Sequence, residues 1–183
     1  QARLRRLRDP RPVRFQGEIS LRAGSGLAQG RVADAALAER AVGTAMARAG
    51  LEHPQAVLLY LSSDFAQDPQ PALTAAARAA GCTQVTGCTA AGVFTEEDWM
   101  LDAPAAAALV LGEGVGLRPA QRMDADGHEL TLAAPNALDL HWLSGGSWRF
   151  GGVSGDATGR GPYSVWSGGR VQAGGRCEVE LTG

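Results

Sequence analysis

A continuous apolar run of strand length, residues 56–61, follows Pro54. A strand that is apolar at every position is typical of sheets that are covered on both faces, as in α/β proteins. Helical patterns flank this run at 34–49 and 71–80, and each of them is ended by a glycine. Asp34 is in addition a typical N-cap residue. The chain is therefore predicted to form a sheet against which helices pack.

Further strands are predicted wherever apolar residues alternate or run together, and one short helix is predicted among them. The predicted strands are 18–22, 83–86, 105–111, 115–122, 129–133 and 148–150, and the helix is 135–143. Glycines at 24, 26 and 30 predict a loop, and those at 112–114 predict a hairpin between 105–111 and 115–122. Residues 163–181 are expected to form two or three antiparallel strands. The predicted fold class is thus mixed α/β (α+β), mostly sheet with flanking helices, with a βαβ-type first half and antiparallel strands at the end.

The charge is distributed unevenly along the 183 residues. All 17 basic residues are Arg, and six of them lie within residues 1–14, where one acid opposes them. We expect residues 1–14 to be an Arg-rich tail and 15–183 to be one domain. That domain carries 11 Arg against 18 acids, so we expect no nucleic-acid partner. Because no run approaches 18 apolar residues and no signal-peptide pattern occurs, we expect no membrane partner and a cytoplasmic location.

The segment from Gly87 to Gly92 encloses four small residues, Cys88, Thr89, Ala90 and Ala91. Glycine lets a backbone or a ligand approach closely, so the segment is predicted to be a tight loop at the end of a strand. Such a loop can bind an anionic group through its amides, or it can be a plain turn. It is not a P-loop, because the chain has no Lys, and it lacks the three glycines of a dinucleotide-binding loop.

A second glycine-rich segment, 151–155, is followed by Asp156. Gly152 and Ser154 could contact a ligand oxygen and Asp156 could accept an ammonium group, although Gly-Asp is also ordinary in turns. Both segments follow a strand–helix–strand pattern, so the two are expected to face one another. Ser62 and Asp64 follow the 56–61 run, at the carboxyl end of the predicted strand. Ligands tend to bind at this end of the strands in α/β sheets. The alternative is that the two residues only cap the strand.

Cys88 is the candidate nucleophile, with His128 or His141 as base and Asp139 or Asp156 as its orienting group. The alternative is a small buried side chain that fills a tight space. No Cys-x2-Cys or His-x3-His pair occurs, so we expect no metal, and no cofactor motif is present. Three cysteines without framework spacing favour a reducing compartment.

Three parts of the chain carry a resemblance to a known family. The strand that ends in Ser62-Ser63-Asp64, the following helix and residues 85–94 (VTGCTAAGVF) resemble the N-terminal half of FIST proteins. Residues 150–155 (FGGVSG) are similar to the second glycine-rich segment of that family, as is the antiparallel end at 163–181. The resemblance spans about residue 18 to the end, and its most specific part is 87–92.

The resemblance implies a sensory, ligand-binding domain of a signal-transduction protein, with an amino acid or another small polar metabolite as ligand. The amides of 87–92 would receive its anionic end, and Ser62, Asp64, Ser154 or Asp156 would contact the rest. The family normally continues into a C-terminal half, so that half or a signalling protein is the expected partner. Two alternatives stay open: a cysteine-dependent hydrolase or transferase that uses Cys88, and a scaffold or adaptor domain without a ligand.

Overall fold

The structure is a computed structural model, and it describes residues 22–120, 128–144 and 148–182. It is a mixed α+β fold in which strands predominate over three helices. In chain order the elements are β1 (Ala23–Gln29), α1 (Ala35–Ala49), β2 (Ala56–Ser62), α2 (Gln70–Ala80), β3 (Val85–Ala90), β4 (Gly92–Phe94), β5 (Trp99–Leu101), β6 (Ala105–Leu111), β7 (Gly116–Pro119), β8 (His128–Ala133), α3 (Leu140–Leu143), β9 (Trp148–Val153), β10 (Val165–Ser167), β11 (Arg170–Val171) and β12 (Arg176–Thr182).

The strands of the described residues form three sheets. The large sheet has the order β1-β6-β2-β3-β10-β11, and of its described pairs only β2–β3 is parallel, which makes β2-α2-β3 the expected βαβ unit. The second sheet has the order β7-β12-β8-β9, with β8 and β9 parallel. The strands β4 and β5 pair with each other and form a two-stranded ribbon.

The large sheet is covered on both faces. Alternate residues of β2 and β6, among them Val57, Leu59 and Val110, pack against α1 and α2. The intervening residues, among them Ala56 and Leu111, pack against the second sheet. Two-sided burial explains why β2 is apolar throughout, and the resulting order of layers is helices, large sheet, second sheet.

Both long helices begin and end where the sequence predicts. The Asp34 carboxylate caps α1 by accepting a hydrogen bond from the Ala36 amide at 2.8 Å. Gly50 and Gly81 adopt left-handed φ angles of 63° and 60° at the two helix ends. That conformation costs glycine little, so it ends a helix readily. Among the described residues, no helix has the length and apolar character needed to cross a membrane.

The loop predicted at 24, 26 and 30 is largely wrong, because Gly24 and Gly26 lie inside β1. A Cβ atom at Gly24 would lie 2.5 Å from the Ala45 carbonyl oxygen, and one at Gly26 would lie 2.2 Å from that of Ala41. These glycines therefore allow α1 to approach the strand closely. The predicted strand 18–22 lies outside the described residues except for its last member.

The predicted hairpin across 112–114 is also wrong. Strand β6 pairs with β1 and β2, whereas β7 crosses to the second sheet and pairs with β12. Leu117 is buried there, against Val179 and Leu130. The predicted helix 135–143 is split into a 3₁₀ turn, Pro135–Ala137, and the short α3. The strands expected within 163–181 are present as β10, β11 and β12.

Candidate functional site

The segment from Gly87 to Ala90 is part of a buried strand, so the prediction of a loop at 87–92 is wrong. Strand β3 lies between β2 and β10, with Gly87 opposite Leu59 on one side and Trp166 on the other. The Thr89 amide likewise donates to the Ser164 carbonyl at 2.9 Å. Because these backbone groups serve the sheet, the predicted binding of an anion by these amides is not supported. Ala91 is the bend between β3 and β4, and Gly92 begins β4.

The second glycine-rich segment is likewise mostly strand, because Gly151 and Gly152 lie within β9. Ser154 follows β9 and is buried, and its hydroxyl oxygen lies 2.8 Å from the Thr89 hydroxyl oxygen. It also donates to the Thr89 carbonyl at 2.8 Å. The ends of the two predicted segments therefore do meet, as expected. Ser164 completes this cluster by donating its amide to the Thr89 hydroxyl at 3.1 Å.

The polar side chains of this cluster bond to one another and to the backbone. The Ser164 hydroxyl donates to the Ala66 carbonyl at 2.9 Å, which ties the cluster to the loop after β2. Buried hydroxyls in a mutually satisfied network join elements of a fold. We therefore assign Thr89 and Ser154 to the connection between the two sheets and not to a ligand.

Ser62 and Asp64 are hydrogen-bonded to each other, and Ser62 is also hydrogen-bonded to the neighbouring strand β6. The buried Ser62 hydroxyl donates to the Asp64 carboxylate at 2.7 Å and accepts from the Ala105 amide at 3.1 Å. This pattern fits the alternative in which the two residues cap the end of β2. Asp64 is exposed and lines a separate small pocket of about 250 Å³.

The Asp156 carboxylate is hydrogen-bonded to groups of its own loop. It accepts hydrogen bonds from the Thr158 hydroxyl at 2.6 Å, from the Gly159 amide at 2.6 Å and from the Gly161 amide at 3.1 Å. The bond from Thr158 is the largest of the effects that hold the pKa of Asp156 below its ordinary value. An ammonium group would have to displace these donors, so the predicted role of Asp156 in ligand binding is not supported.

Cys88 is a packing residue. Its side chain is buried with Leu132, Val165 and Cys177 between the two sheets. Burial, followed by the nearby Cys177, raises the pKa of the Cys88 thiol to about 12, so the thiol is protonated at neutral pH. A protonated buried thiol does not suit a nucleophile. Of the predicted bases, His141 is exposed on α3, and the side chain of His128 lies outside the described residues.

A pocket with a volume of about 460 Å³ lies between the large sheet and the ribbon β4–β5. This volume is within the range of small-molecule sites. Its lining residues come from β1, β2, β3, β6 and the ribbon: Ser25, Tyr60, Ala90, Gly92, Val93, Phe94, Thr95, Glu96, Ala107, Ala108 and Leu109. Of the residues predicted to bind a ligand, only Ala90 and Gly92 line this pocket.

Apolar groups form most of the pocket wall, and the polar groups are gathered on one side. Ser25 and Glu96 are hydrogen-bonded to each other, and Thr95 is the neighbour of Glu96 in the chain. The bond from Ser25 is the largest of the effects that lower the pKa of Glu96, so Glu96 is a carboxylate at neutral pH. Tyr60 is a neutral phenol, because burial raises its pKa to about 12.

The ribbon covers the pocket with one face and exposes the other. Val93 and Met100 face inward, whereas Phe94 and Trp99 are 78% and 63% exposed. The acidic residues 96–98 are exposed and connect the two strands of the ribbon. The ribbon itself was not predicted, although the β-branched and aromatic residues Val93, Phe94 and Thr95 favour a short strand.

The tip of the ribbon is held to the rest of the domain by two polar contacts. One is the hydrogen bond from Ser25 of β1 to Glu96, and the other is an ion pair between Glu97 and Arg48 of α1. Arg48 also donates to the Ser25 carbonyl at 3.2 Å. These contacts place the carboxylate of Glu96 at the mouth of the pocket.

The comparisons with known proteins do not assign a family. No family model matches the chain, and no curated protein matches it. Among solved structures, it is similar to a cyanuric acid hydrolase from A. caulinodans, with a TM-score of 0.37 and 12% sequence identity over 92% of this chain and 72% of that chain. A likeness of this degree carries no argument about function.

Proposed function

We propose that this chain is a small-molecule-binding, sensory domain whose ligand occupies the pocket beneath the ribbon β4–β5. The observation that carries the proposal is the pocket itself, about 460 Å³ in volume and walled mainly by apolar groups. Ligand pockets of proteins are typically concave and apolar, with a few polar groups that orient the ligand. The proposal keeps the sensory role that the resemblance to FIST proteins implies, and it moves the ligand from the backbone of β3 to the space beside Ala90 and Gly92.

The ribbon is well suited to report that the pocket is occupied. Among the described strands, β4 and β5 pair only with each other, and a two-stranded hairpin has marginal stability by itself. A ligand in contact with both Tyr60 on the sheet and Val93 on the ribbon would stabilise their packing. The exposed pair Phe94 and Trp99 would then present a more ordered surface to a signalling partner or a further domain. The three cysteines are free thiols, which fits a role in the reducing cytoplasm.

The proposal is tested by filling the pocket. The variant Ala90→Leu adds three carbon atoms to the pocket wall, and Ala47→Leu makes the same change on the exposed surface of α1. Ligand-observed NMR with a library of neutral, cationic and anionic fragments would detect binding to each protein, and circular dichroism would confirm folding. We expect fragments to bind the wild type and Ala47→Leu, and to lose affinity for Ala90→Leu by about tenfold, since the added group occupies their volume.

Two results would contradict the proposal. Equal binding to both variants would place the ligand elsewhere on the domain. Failure of the whole library to bind the wild type at millimolar concentration would favour the scaffold or adaptor alternative.

A further inference from the structure

We infer that the pocket beneath the ribbon selects small amines, with an aryl or alkyl body and one protonated amino group, over acids of the same shape. This inference rests on the proposed function and adds the chemical class of the ligand. It follows from the charge at the mouth of the pocket and from the separation of polar and apolar groups within it.

The only charged group among the described lining residues is the Glu96 carboxylate. Arg48, the cation that acts on Glu96 among the described residues, is paired with the neighbouring Glu97. Glu96, Glu97 and Asp98 at the tip of the ribbon therefore outnumber this base, and the described residues leave the mouth with an excess negative charge. Tyr60 adds a neutral hydroxyl, which can donate or accept a hydrogen bond but cannot neutralise an acid.

The polar groups occupy one corner, where the tip of the ribbon meets β1. Ser25, Thr95 and Glu96 form this corner, and the remaining wall consists of Tyr60, Phe94, Gly92 and alanine, valine and leucine side chains. A ligand that matches both parts has its charge at one end and its apolar body at the other. An ammonium group at the corner would gain a charge-assisted hydrogen bond to Glu96. A carboxylate in the same place would be repelled.

This charge pattern also separates amines from free amino acids. An amino acid carries its carboxylate one carbon away from its ammonium group, and no cationic side chain of the described lining can receive it. The amino acid would therefore bring its own negative charge close to Glu96. An amine without the carboxylate keeps the attraction between its ammonium group and Glu96 and avoids the repulsion between the two carboxylates.

Four probes of similar shape test the inference: 2-phenylethylamine, 2-phenylethanol, 3-phenylpropionate and phenylalanine. Dissociation constants would be measured by calorimetry at pH 7 in low and in high salt. We expect the amine to bind about 1.5- to fivefold more tightly than the alcohol, which is the range for an ion pair at an exposed carboxylate. Phenylalanine and the acid should bind more weakly than the alcohol, and salt should reduce the advantage of the amine.

The matched variants are Glu96→Gln, which keeps a hydrogen-bonding group beside Ser25, and Glu39→Gln, which removes an exposed acid from α1. Glu96→Gln should lower the affinity for the amine to about that for the alcohol, whereas Glu39→Gln should preserve the preference for the amine. If the alcohol or the acid binds as tightly as the amine, or if no probe binds although library fragments do, the inference is wrong and the proposed function stands. If the library also fails to bind, the proposed function fails and the inference fails with it.

Discussion

At positions 24, 26 and 87, the absence of a side chain on glycine allows neighbouring backbone segments to approach closely. Gly24 and Gly26 allow α1 to approach β1. Gly87 is the most restricted, because a Cβ atom there would lie 1.7 Å from the Leu59 carbonyl oxygen and 2.8 Å from the Trp166 indole nitrogen. The same property that suggested a ligand-binding loop in the sequence therefore serves the packing of β3 between its neighbours.

Replacing Gly87 by Ala should destabilise the domain strongly. The added methyl group collides with the backbone of β2, which cannot move without disturbing the sheet, so we expect a loss of about 2–3 kcal/mol in the free energy of unfolding. Urea denaturation followed by circular dichroism measures this loss. The control is Gly43→Ala on α1, where a Cβ atom meets nothing within 4 Å and a gain of about 0.5–1 kcal/mol is expected. Equal stability of the two variants would show that Gly87 is not sterically restricted.

The buried thiols make the stability of the domain depend on alkaline pH. Burial raises the pKa of Cys88 from 9.0 to about 12 and that of Cys177 from 9.0 to about 11. Below pH 8 the folded and the unfolded thiols are both protonated, so they contribute no pH dependence. Above pH 9 the unfolded thiols lose their protons while the folded thiols keep them, and stability falls as the pH rises.

We expect each of these thiols to contribute a loss of about 1.4 kcal/mol at pH 10 relative to pH 7. Cys88→Ala should remove the contribution of Cys88 and so reduce the alkaline loss, although the variant is less stable at pH 7. Urea denaturation of both proteins at pH 7 and at pH 10 measures the difference. An unchanged alkaline loss in Cys88→Ala would contradict the burial of this thiol as the cause.

At the scale of elements, the ribbon β4–β5 has few bonds to its surroundings. It buries Val93 against the large sheet, but within the described part of the chain its two strands form ladder hydrogen bonds only with each other. Its tip is held by Ser25 and Arg48 through the two acids at 96 and 97. An element with few backbone bonds to its surroundings opens more readily than the core strands do.

Arg48→Ala should therefore loosen the ribbon and leave the domain folded. Because the ion pair with Glu97 is partly exposed, we expect the free energy of unfolding to change by less than about 1 kcal/mol. Hydrogen exchange should become faster at the amides of β4 and β5 and stay unchanged in β2. The control is Arg78→Ala, an exposed arginine of α2, which should leave exchange in the ribbon unaltered. Faster exchange throughout the domain would instead indicate global destabilisation.

At the scale of the whole molecule, a buried hydrogen-bonded cluster connects the two larger sheets. Thr89 lies next to the last residue of β3 in the large sheet, and Ser154 follows β9 in the second sheet. Their hydroxyls meet at 2.8 Å, and the Gly155 amide donates to the Thr89 carbonyl at 3.3 Å. Between the sheets lie apolar clusters that include Leu132 and Val179, so the polar cluster sets the alignment at one end of an apolar interface.

A double-mutant cycle measures this connection. Each hydroxyl makes hydrogen bonds within a buried network, and Thr89→Val also removes the acceptor of the Ser164 amide, so Ser154→Ala and Thr89→Val should each cost about 1–3 kcal/mol of stability. The double variant should cost less than the sum, with a coupling energy of about 0.5–1.5 kcal/mol. Urea denaturation of the four proteins gives the coupling. Additive losses would show that the two side chains do not act together.

Patterns that are local in the chain predicted their elements well. The N-cap Asp34 and the terminal glycines at 50 and 81 mark the ends of α1 and α2, because capping depends on neighbouring residues alone. The uniform burial of β2 was also readable, since a strand covered on both faces has to be apolar throughout. The hairpin predicted at 112–114 shows the limit of such local patterns. The turn residues are local, but β7 pairs with β12, whose residues lie 60 or more positions away in the chain.

The candidate site was the least predictable feature. Ala90 and Gly92 were selected for the wrong reason, as amide donors, and they contribute to the wall of a cavity that also needs residues from β1, β2 and β6. The amino-acid sequence was sufficient for the helices, the buried central strand and the mixed fold class, because caps and periodic burial act over a few residues. The role of the glycines, the protonation of Cys88 and the location of the pocket were determined by the packing of distant strands, since close approach, desolvation and enclosed volume arise only when those strands meet.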